Sequence, residues 1–297
     1  MNENKKIIEH DKYPKIIGIP ISNICNGDCD YCLRQSYILP SGHELMDEDH
    51  FVKLIDKVKN KVPMINISAG YGEALLHPLI DHYLDIAHKN GVKILLYTNG
   101  VASYDKMDTI CSADTVVISA NRPLFDLDKN REIIQNGANI IVSVLFDLPQ
   151  NNTNYLYRIC TLCHEYHINI ELKCVFNYNN IPLKDKKTVS EDLKMVANLN
   201  SPYIHIMTAQ KHKYISCTDP WKAMYFDMEG FLRPCCIYYD SIYENNIFKD
   251  DLCDIWNSTY LNARREQFEN GIGDFYCKEC PIGYGNVREY DYKFFYV

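Results

Sequence analysis

The chain has 297 residues, a formal net charge of −8 from 31 basic and 39 acidic side chains, and 13 cysteines. The excess of acidic side chains argues against a protein that binds the phosphate backbone of nucleic acid, because such binding needs a basic surface. With 46% apolar and 24% charged residues, the composition is that of an ordinary globular protein. The cysteines are too few for a disulfide scaffold, and an odd number of them cannot all pair.

The N-terminal segment is charged and lacks the unbroken apolar stretch of a secretion signal. No stretch approaches the roughly 18 apolar residues that a membrane span requires. We therefore expect a cytoplasmic protein with no membrane partner, whose thiols are reduced. Thiols that cluster in such a protein are expected to bind metal or to take part in catalysis.

Short β-branched segments alternate with longer segments of helical periodicity. In chain order the predicted elements are strand Lys15–Ser22, helix Asp47–Asn60, strand Met64–Gly70, helix Pro78–Asn90, strand Lys93–Gly100, helix Tyr104–Ser112, strand Thr115–Ala120, helix Asp126–Gln135, strand Asn139–Phe146, helix Asn152–Tyr166, strand Asn169–Phe176 and helix Val189–Asn198. Six such units predict a parallel sheet with right-handed crossovers. Because eight units close a full barrel, six predict an α/β fold of the partial (β/α)6 TIM type, with its active site at the C-terminal strand ends.

This alternation ends near residue 200. The elements predicted beyond it are a strand at Tyr203–Ala209, a hairpin at Ala223–Cys235 that turns at Glu229–Gly230, and a helix at Asp251–Glu269. The change of pattern predicts a barrel domain over residues 1–205 and a small α+β domain over residues 206–297.

The loop after the first predicted strand holds Cys25, Cys29 and Cys32 within eight residues. Three thiols at this spacing can converge on one metal centre. A structural zinc site needs a fourth ligand, which His43 would supply. A 4Fe–4S cluster held by three cysteines would instead leave one iron open. On spacing alone both readings remain.

A second group of cysteines lies in loop-rich sequence near the C-terminus. Its members are Cys217, Cys235, Cys236, Cys277 and Cys280. Four of these would serve a zinc site about as well as an iron–sulfur cluster. The spacing therefore leaves open a zinc-stabilised binding module with no enzymatic activity.

Four motifs in order along the predicted barrel are similar to those of the radical S-adenosylmethionine (SAM) superfamily. They are the CxxxCxxC loop with Tyr31 before its last cysteine, the Gly72-Glu73 loop after the second strand, Thr98-Asn99-Gly100 at the end of the third, and Ser119 at the end of the fourth. The resemblance covers about residues 15–200. Ala74 departs from the proline that commonly follows the glutamate.

The resemblance implies roles for these residues. Cys25, Cys29 and Cys32 would hold a SAM-binding 4Fe–4S cluster. Gly72 and Glu73 would contact the amino group of SAM. Thr98 and Ser119 would contact its carboxylate or ribose, and Ser143 is a further candidate for this role. Tyr31 would lie beside the adenine, and Phe176 is a candidate adenine wall. The implied chemistry is cleavage of SAM to a 5′-deoxyadenosyl radical, which abstracts a hydrogen atom from the substrate.

The C-terminal segment resembles the SPASM and twitch domains, which hold auxiliary iron–sulfur clusters. Gly230 lies five residues before Cys235, as in the turn of these domains, and Trp256 and Arg264 resemble their linking helix. The implied ligands of one auxiliary 4Fe–4S cluster are Cys217, Cys235, Cys277 and Cys280. Cys253 is expected to lie in the core.

A fully ligated auxiliary cluster implies an electron acceptor, and hence a net oxidation. The chain resembles the aminocyclitol dehydrogenase type of butirosin biosynthesis, which implies a small sugar-like or aminocyclitol-like substrate. The expected electron donor is of the flavodoxin or ferredoxin type. A peptide substrate, with epimerisation or crosslinking as the outcome, is the alternative. Candidate catalytic residues are Arg122, Lys173 and Cys236, and His77 and Glu229 are further acid–base candidates.

Overall fold

The computed structural model describes residues 11–32, 34, 44–68, 70, 72–136, 139–175, 180–207, 217–237, 241–273 and 277. The predictions made for His43, Phe176 and Cys280 concern residues outside these ranges. No helix in the described part of the chain is long and apolar enough to cross a membrane.

Ten strands and eight α-helices are formed by the described residues. The strands are β1 (Ile16–Gly18), β2 (Met64–Asn66), β3 (Lys93–Thr98), β4 (Thr115–Ser119), β5 (Ile140–Leu145), β6 (Asn169–Lys173), β7 (Ile204–Met207), β8 (Ala223–Phe226), β9 (Phe231–Arg233) and β10 (Ile242–Asn246). The helices are α1 (Glu48–Val58), α2 (Ile80–Lys89), α3 (Met107–Ser112), α4 (Arg131–Asn136), α5 (Thr153–Glu165), α6 (Lys186–Ala197), α7 (Leu252–Trp256) and α8 (Thr259–Glu269). Each of β1–β6 is followed by the helix of the same number, so the six predicted units are confirmed.

Helix α1 shows how local sequence sets an element. The carboxylate of Asp47 accepts a hydrogen bond from the backbone N–H of His50 at 2.8 Å, which satisfies one of the donors that have no partner in a first helical turn. Phe51 and Leu54 are fully buried. Val52 is 38% exposed, because it lies about 100° around the helix from Phe51 and so falls outside the apolar stripe.

One compact unit comprises the described residues of Met1–Cys25, Tyr37–Leu96 and Ala209–Asn286. Its strands lie in the order β10-β9-β8-β1-β2-β3. Strand β8 runs parallel to β1 and antiparallel to β9, so the predicted hairpin is present and joins the parallel strands. Gly230 at its turn has a φ of +85°, and an added Cβ would lie 2.4 Å from the ring of Phe248.

The second compact unit comprises the described residues of Asn26–Ser36 and Tyr97–Thr208. Strands β4, β5, β6 and β7 lie side by side in sequence order, and all three pairings are parallel. Helix α5 contacts α6, β6 and β7. Val142 and Leu172 are fully buried, so one face of these strands forms an apolar core.

Two predicted helices have wrong boundaries. The single helix predicted over Asp251–Glu269 is two helices, because the Ser258 hydroxyl accepts a hydrogen bond from the backbone N–H of Leu261 at 3.4 Å and starts α8 anew. The helix predicted from Asp126 begins at Arg131. The Asp126 carboxylate instead accepts bonds from the two backbone N–H groups of residues 128 and 129, which forms a turn. Strand β10 was not predicted.

Candidate active site

The loops after β1 and β2 meet within the first unit. The backbone N–H of Glu73 donates to the carbonyl of Ile24 at 2.7 Å, and Ile24 directly precedes Cys25. The Glu73 side chain is buried, and its Oε1 accepts a bond from the backbone N–H of Leu75 at 3.2 Å. The predicted SAM-binding glutamate is therefore fixed in orientation beside the start of the cysteine loop.

Gly72 allows this close approach of the two loops. A Cβ added at Gly72 would lie 2.4 Å from the carbonyl oxygen of Ser22 and 2.6 Å from that of Ile24. These are backbone atoms, which cannot move aside as a flexible side chain can. A residue with any side chain at position 72 would push the glutamate loop away.

Replacing Gly72 by Ala is expected to cost about 1–3 kcal/mol of stability, as other overpacked sites do. It should also weaken SAM binding about tenfold or more, because Glu73 would lose its position and one charge-assisted hydrogen bond. Calorimetric titration of the anaerobic enzyme with SAM measures the second effect.

Gly91→Ala is the matched control for this prediction. Gly91 has a φ of +71°, but no atom lies within 4 Å of an added Cβ. The control should lose about 1–2 kcal/mol through its backbone conformation alone and keep its SAM affinity. Equal SAM affinities of wild type and Gly72→Ala would contradict the role given to the loop contact.

The rest of the cysteine loop belongs to the second unit. The backbone N–H of Cys32 donates to the carbonyl of Cys29 at 3.0 Å, which closes a turn between these two thiols. Burial first, and then the neighbouring Cys29 and Cys32 sulfurs, raises the pKa of Tyr31 above its ordinary value. Tyr31 thus presents a neutral hydroxyl to the thiols.

The end of β3 is tied to the same loop. Asn99 Nδ2 donates to Asn26 Oδ1 at 2.7 Å, across 73 residues of sequence. Thr98 is buried, and its Oγ1 accepts a bond from the N–H of Gly100 at 3.2 Å. The sequence reasoning named Thr98 but missed the Asn26–Asn99 bond. An asparagine inside the cysteine motif and another at a strand end were its only signal.

Ser119 ends β4, where it is half-buried and pairs in register with Ser143 of β5. Of the catalytic candidates, Arg122 is exposed and its guanidinium carbon lies 5.8 Å from the ring centroid of Tyr155. Lys173 Nζ lies 2.5 Å from a carboxylate oxygen of Glu171. Both candidates therefore have identified neighbours in the second unit.

Both ring nitrogens of His77 are held by contacts with the backbone. Its Nε2 lies 2.9 Å from the carbonyl oxygen of Met46, and its Nδ1 accepts from the backbone N–H of Leu79 at 3.1 Å. Burial lowers the pKa of His77 despite the Met46 bond. With both ring nitrogens bonded, this imidazole braces the start of α2. The backbone of Glu229 accepts a bond from Asn246 Nδ2 at 2.9 Å.

The second group of cysteines lies in the first unit. Trp221, Phe268 and Cys277 form a buried apolar cluster against which Cys217 packs. Arg264 is also buried, and its Nη2 lies 3.7 Å from the Cys277 sulfur. The guanidinium of Arg264 is thus placed where it would stabilise negative charge on a metal-binding sulfur.

Cys236 contacts an acidic side chain. Its sulfur lies 3.9 Å from an Asp219 carboxylate oxygen, to which the Tyr225 hydroxyl also donates at 3.2 Å. Burial raises the pKa of Asp219, although the Tyr225 bond opposes this. The sequence reasoning missed Asp219, whose only signal was its place two residues after Cys217.

The donor atoms fit the groups that the resemblance implies. Both sets are cysteines alone, and sulfur is the donor that iron–sulfur clusters use. The set of three leaves an open position, whereas the set of four does not. Within the described ranges, no three His, Cys, Asp or Glu side chains are grouped so that they could hold a metal ion, so the two ligand sets remain those that the resemblance implies.

Comparison with known protein families finds two matches along the chain. Residues 19–196 match the radical SAM superfamily, and residues 217–281 match SPASM, an iron–sulfur cluster-binding domain. No curated protein matches this chain.

Two solved structures have a similar fold. SuiB of Streptococcus suis bound to its precursor peptide SuiA is 14% identical over 92% of this chain and 71% of that chain, with a TM-score of 0.67. BtrN in complex with AdoMet and 2-DOIA is 17% identical over 94% of both chains, with a TM-score of 0.59. At such identities the likeness concerns the fold, and it confirms the predicted α/β partial-barrel class.

The superfamily match covers more than half of the chain and includes the cysteine loop, the glutamate loop and the ends of β3 and β4. The SPASM match includes the whole second group of cysteines. This protein therefore belongs to the radical SAM superfamily and carries a SPASM-type iron–sulfur domain after its barrel.

Proposed function

We propose that this enzyme oxidises a small polar metabolite, with hydrogen abstraction initiated by SAM and one auxiliary 4Fe–4S cluster as electron acceptor. The observation that carries the proposal is the 2.7 Å hydrogen bond from Glu73 to the carbonyl of Ile24. It joins the glutamate motif to the residue before Cys25. A SAM amino group at Glu73 would then lie next to a cluster on the cysteine loop.

In this proposal Cys25, Cys29 and Cys32 hold the SAM-binding cluster. When bound, SAM and this cluster supply hydrogen abstraction from an unactivated C–H bond, which no side chain can perform. The chain's own residues bind and orient SAM through Glu73, the backbone at Gly72, Thr98, Ser119 and Tyr31. The fixed backbone of the cysteine and glutamate loops favours one orientation of the reacting atoms.

The auxiliary cluster is assigned to Cys217, Cys235, Cys277 and Cys280. Four thiolates leave no open iron, so an electron-transfer role suits this site better than direct substrate binding. The guanidinium of Arg264, 3.7 Å from the Cys277 sulfur, supports this role. A buried cation beside a ligand sulfur favours the more negative, reduced state of a bound cluster.

The single auxiliary cluster and the fold of BtrN, whose complex contains 2-DOIA, favour dehydrogenation of a sugar-like or aminocyclitol-like compound. Electrons for SAM cleavage would come from a flavodoxin or ferredoxin. We place the enzyme in the cytoplasm, where cysteines remain reduced.

A peptide-modifying reaction is the second candidate. The fold of SuiB, solved with the peptide SuiA, supports it. Epimerisation would require a hydrogen-atom donor, and Cys236 is a half-buried thiol that could serve. Its contact with Asp219 favours instead a structural position beside the auxiliary ligands.

Replacing Cys277 by Ala tests the proposal. We expect the iron content to fall from about eight to about four per chain, with SAM cleavage retained and substrate oxidation lost. Anaerobic iron analysis and assays of 5′-deoxyadenosine and oxidised product measure the three effects.

Cys253→Ala is the control, because this half-buried cysteine on α7 contacts Asn257 and is assigned to no cluster. Its iron content should match that of the wild type. Unchanged iron in Cys277→Ala, or product formed at the wild-type rate, would refute the auxiliary role.

A further inference from the structure

A row of polar side chains crosses strands β4–β7 of the second unit. Ser119 of β4 pairs in register with Ser143 of β5. Ser143 pairs in turn with Glu171 of β6, and Glu171 with His205 of β7. Paired residues of parallel strands point to the same face of a sheet, so the four side chains form one continuous row.

The row lies on the face opposite the apolar core of the unit. Ile170 and Leu172, on either side of Glu171, are fully buried, and β5 shows the same alternation around Ser143. Because successive side chains of a strand point to opposite faces, the buried residues mark the helix-covered side. Glu171 is half-buried and His205 exposed, so their face is open to a ligand.

Two further side chains complete the patch. Lys173 Nζ lies 2.5 Å from Glu171 Oε2, and these side chains are 34% and 29% exposed. His205 Nε2 lies 3.1 Å from Asn169 Oδ1. The patch therefore offers a carboxylate, an ammonium and an imidazole together, and the charges of the carboxylate and the ammonium balance.

The row also indicates how far the patch lies from the proposed SAM contact at Ser119. Neighbouring strands are about 4.8 Å apart, so the backbones of Ser119 and Glu171, two strands apart, are separated by about 10 Å. Ser119 is the proposed contact to the SAM carboxylate or ribose. A molecule of the size of one sugar ring, bound at Glu171, would then lie next to SAM.

We propose that Glu171, Lys173 and His205 recognise neighbouring hydroxyl groups of a polyhydroxylated small molecule, a sugar or a cyclitol. The inference rests on the proposed function and adds the residues that would recognise its substrate. A carboxylate accepts hydrogen bonds from hydroxyls and an ammonium donates to them, and such charge-assisted bonds are about twice as strong as neutral ones. The balanced charge of the patch gives no preference for an anionic substrate.

Titration of the anaerobic, SAM-loaded enzyme with myo-inositol, glucose and glucosamine tests this recognition patch. At least one of the three should bind, and glucosamine separates an amine-bearing ligand from a neutral polyol. Glu171→Gln keeps the shape but removes the charge, and Lys173→Met removes the donor. Each should weaken binding about tenfold or more, while SAM affinity stays at the wild-type value.

Glu191→Gln is the matched control. This carboxylate lies 4.0 Å from Lys187 on α6, and both side chains are exposed. Polyol affinity should be unchanged in it. His205→Gln, an exposed substitution that leaves the Lys173–Glu171 pair intact, gives a second independent readout of the patch.

The recognition patch is overturned if none of the three polyols binds the wild type, or if Glu171→Gln and His205→Gln both bind them as tightly as the wild type. It is also overturned if a peptide alone raises 5′-deoxyadenosine formation and Glu171→Gln leaves that effect intact. Its failure is distinct from failure of the proposed function, which the iron content and product assays of Cys277→Ala measure without any residue of the patch.

Discussion

Substitution of Cys25, Cys29 and Cys32 by Ala is expected to abolish SAM cleavage and to remove about four of about eight irons per chain. The three thiols are the assigned ligands of the SAM-binding cluster, and without them an electron has no route into SAM. Anaerobic reduction with dithionite, followed by quantification of 5′-deoxyadenosine and iron, measures both effects. The rate should fall to that of a blank without enzyme.

Cys111→Ala is the control for this variant, because Cys111 lies exposed on α3, away from both groups of cysteines in the sequence. Iron content and SAM cleavage should equal those of the wild type. Persistent 5′-deoxyadenosine formation in the triple variant would show that the site is misassigned. A colourless, zinc-loaded wild-type protein after anaerobic reconstitution would contradict the cluster assignment as a whole.

Asp192→Ala is expected to destabilise the fold by about 3–5 kcal/mol, because it leaves a buried ammonium without its counter-ion. Lys184 Nζ lies 2.7 Å from Asp192 Oδ2, with side chains only 5% and 1% exposed. The same ammonium donates to the carbonyl of Asn151, and Thr153 Oγ1 donates to Asp192 Oδ1 at 2.5 Å. Urea denaturation under anaerobic conditions gives the change in unfolding free energy.

A double variant distinguishes the effect of the two buried charges from the effect of the volume that the two side chains fill. Lys184→Met with Asp192→Leu removes both charges and keeps apolar volume, so its stability should lie close to that of the wild type or above it. Glu191→Ala, which breaks the exposed pair with Lys187, should cost less than about 1 kcal/mol. A loss in Asp192→Ala no larger than that of Glu191→Ala would contradict the burial argument.

The buried Lys184–Asp192 pair also helps to hold together the loops at the C-terminal ends of β4, β5 and β6. It fastens the segment after β5, through Asn151 and Thr153, to the segment after β6, through Lys184. The amide of Asn151 further donates to Asn121 Oδ1 at 2.9 Å, and Asn121 lies two residues after the end of β4. One polar network therefore holds the loops after three neighbouring strands, which is where the predicted SAM and substrate contacts begin.

Local patterns predicted much of the fold correctly. The six strand–helix units follow from β-branched runs and helical periodicity, because burial of one face leaves a repeat that can be read without a structure. Errors occurred where a single polar side chain overrides the repeat. Ser258 divides a helical stretch into α7 and α8, and Asp126 delays α4 by forming a turn.

The site was predicted less completely, because pairing between distant segments leaves little local trace. Thr98 and Glu73 could be named from motifs. The bond between Asn26 and Asn99 joins residues 73 positions apart. Each residue lies in a recognised motif, but neither motif shows that the two side chains pair. Arg264 was noted only as part of a helix, whereas its contact with Cys277 depends on how that helix packs.

The sequence by itself determined the class of chemistry through its resemblance to a known superfamily, because the motifs that carry this resemblance are short and local. Spacing alone would have left a zinc site open for either group of cysteines. Thirteen cysteines in all, an odd number, already argued against complete disulfide pairing. Only the tertiary structure decided which polar residues share a face. Strand register cannot be read from one strand alone, and a shift of one residue would turn Glu171 and His205 to the other side of the sheet.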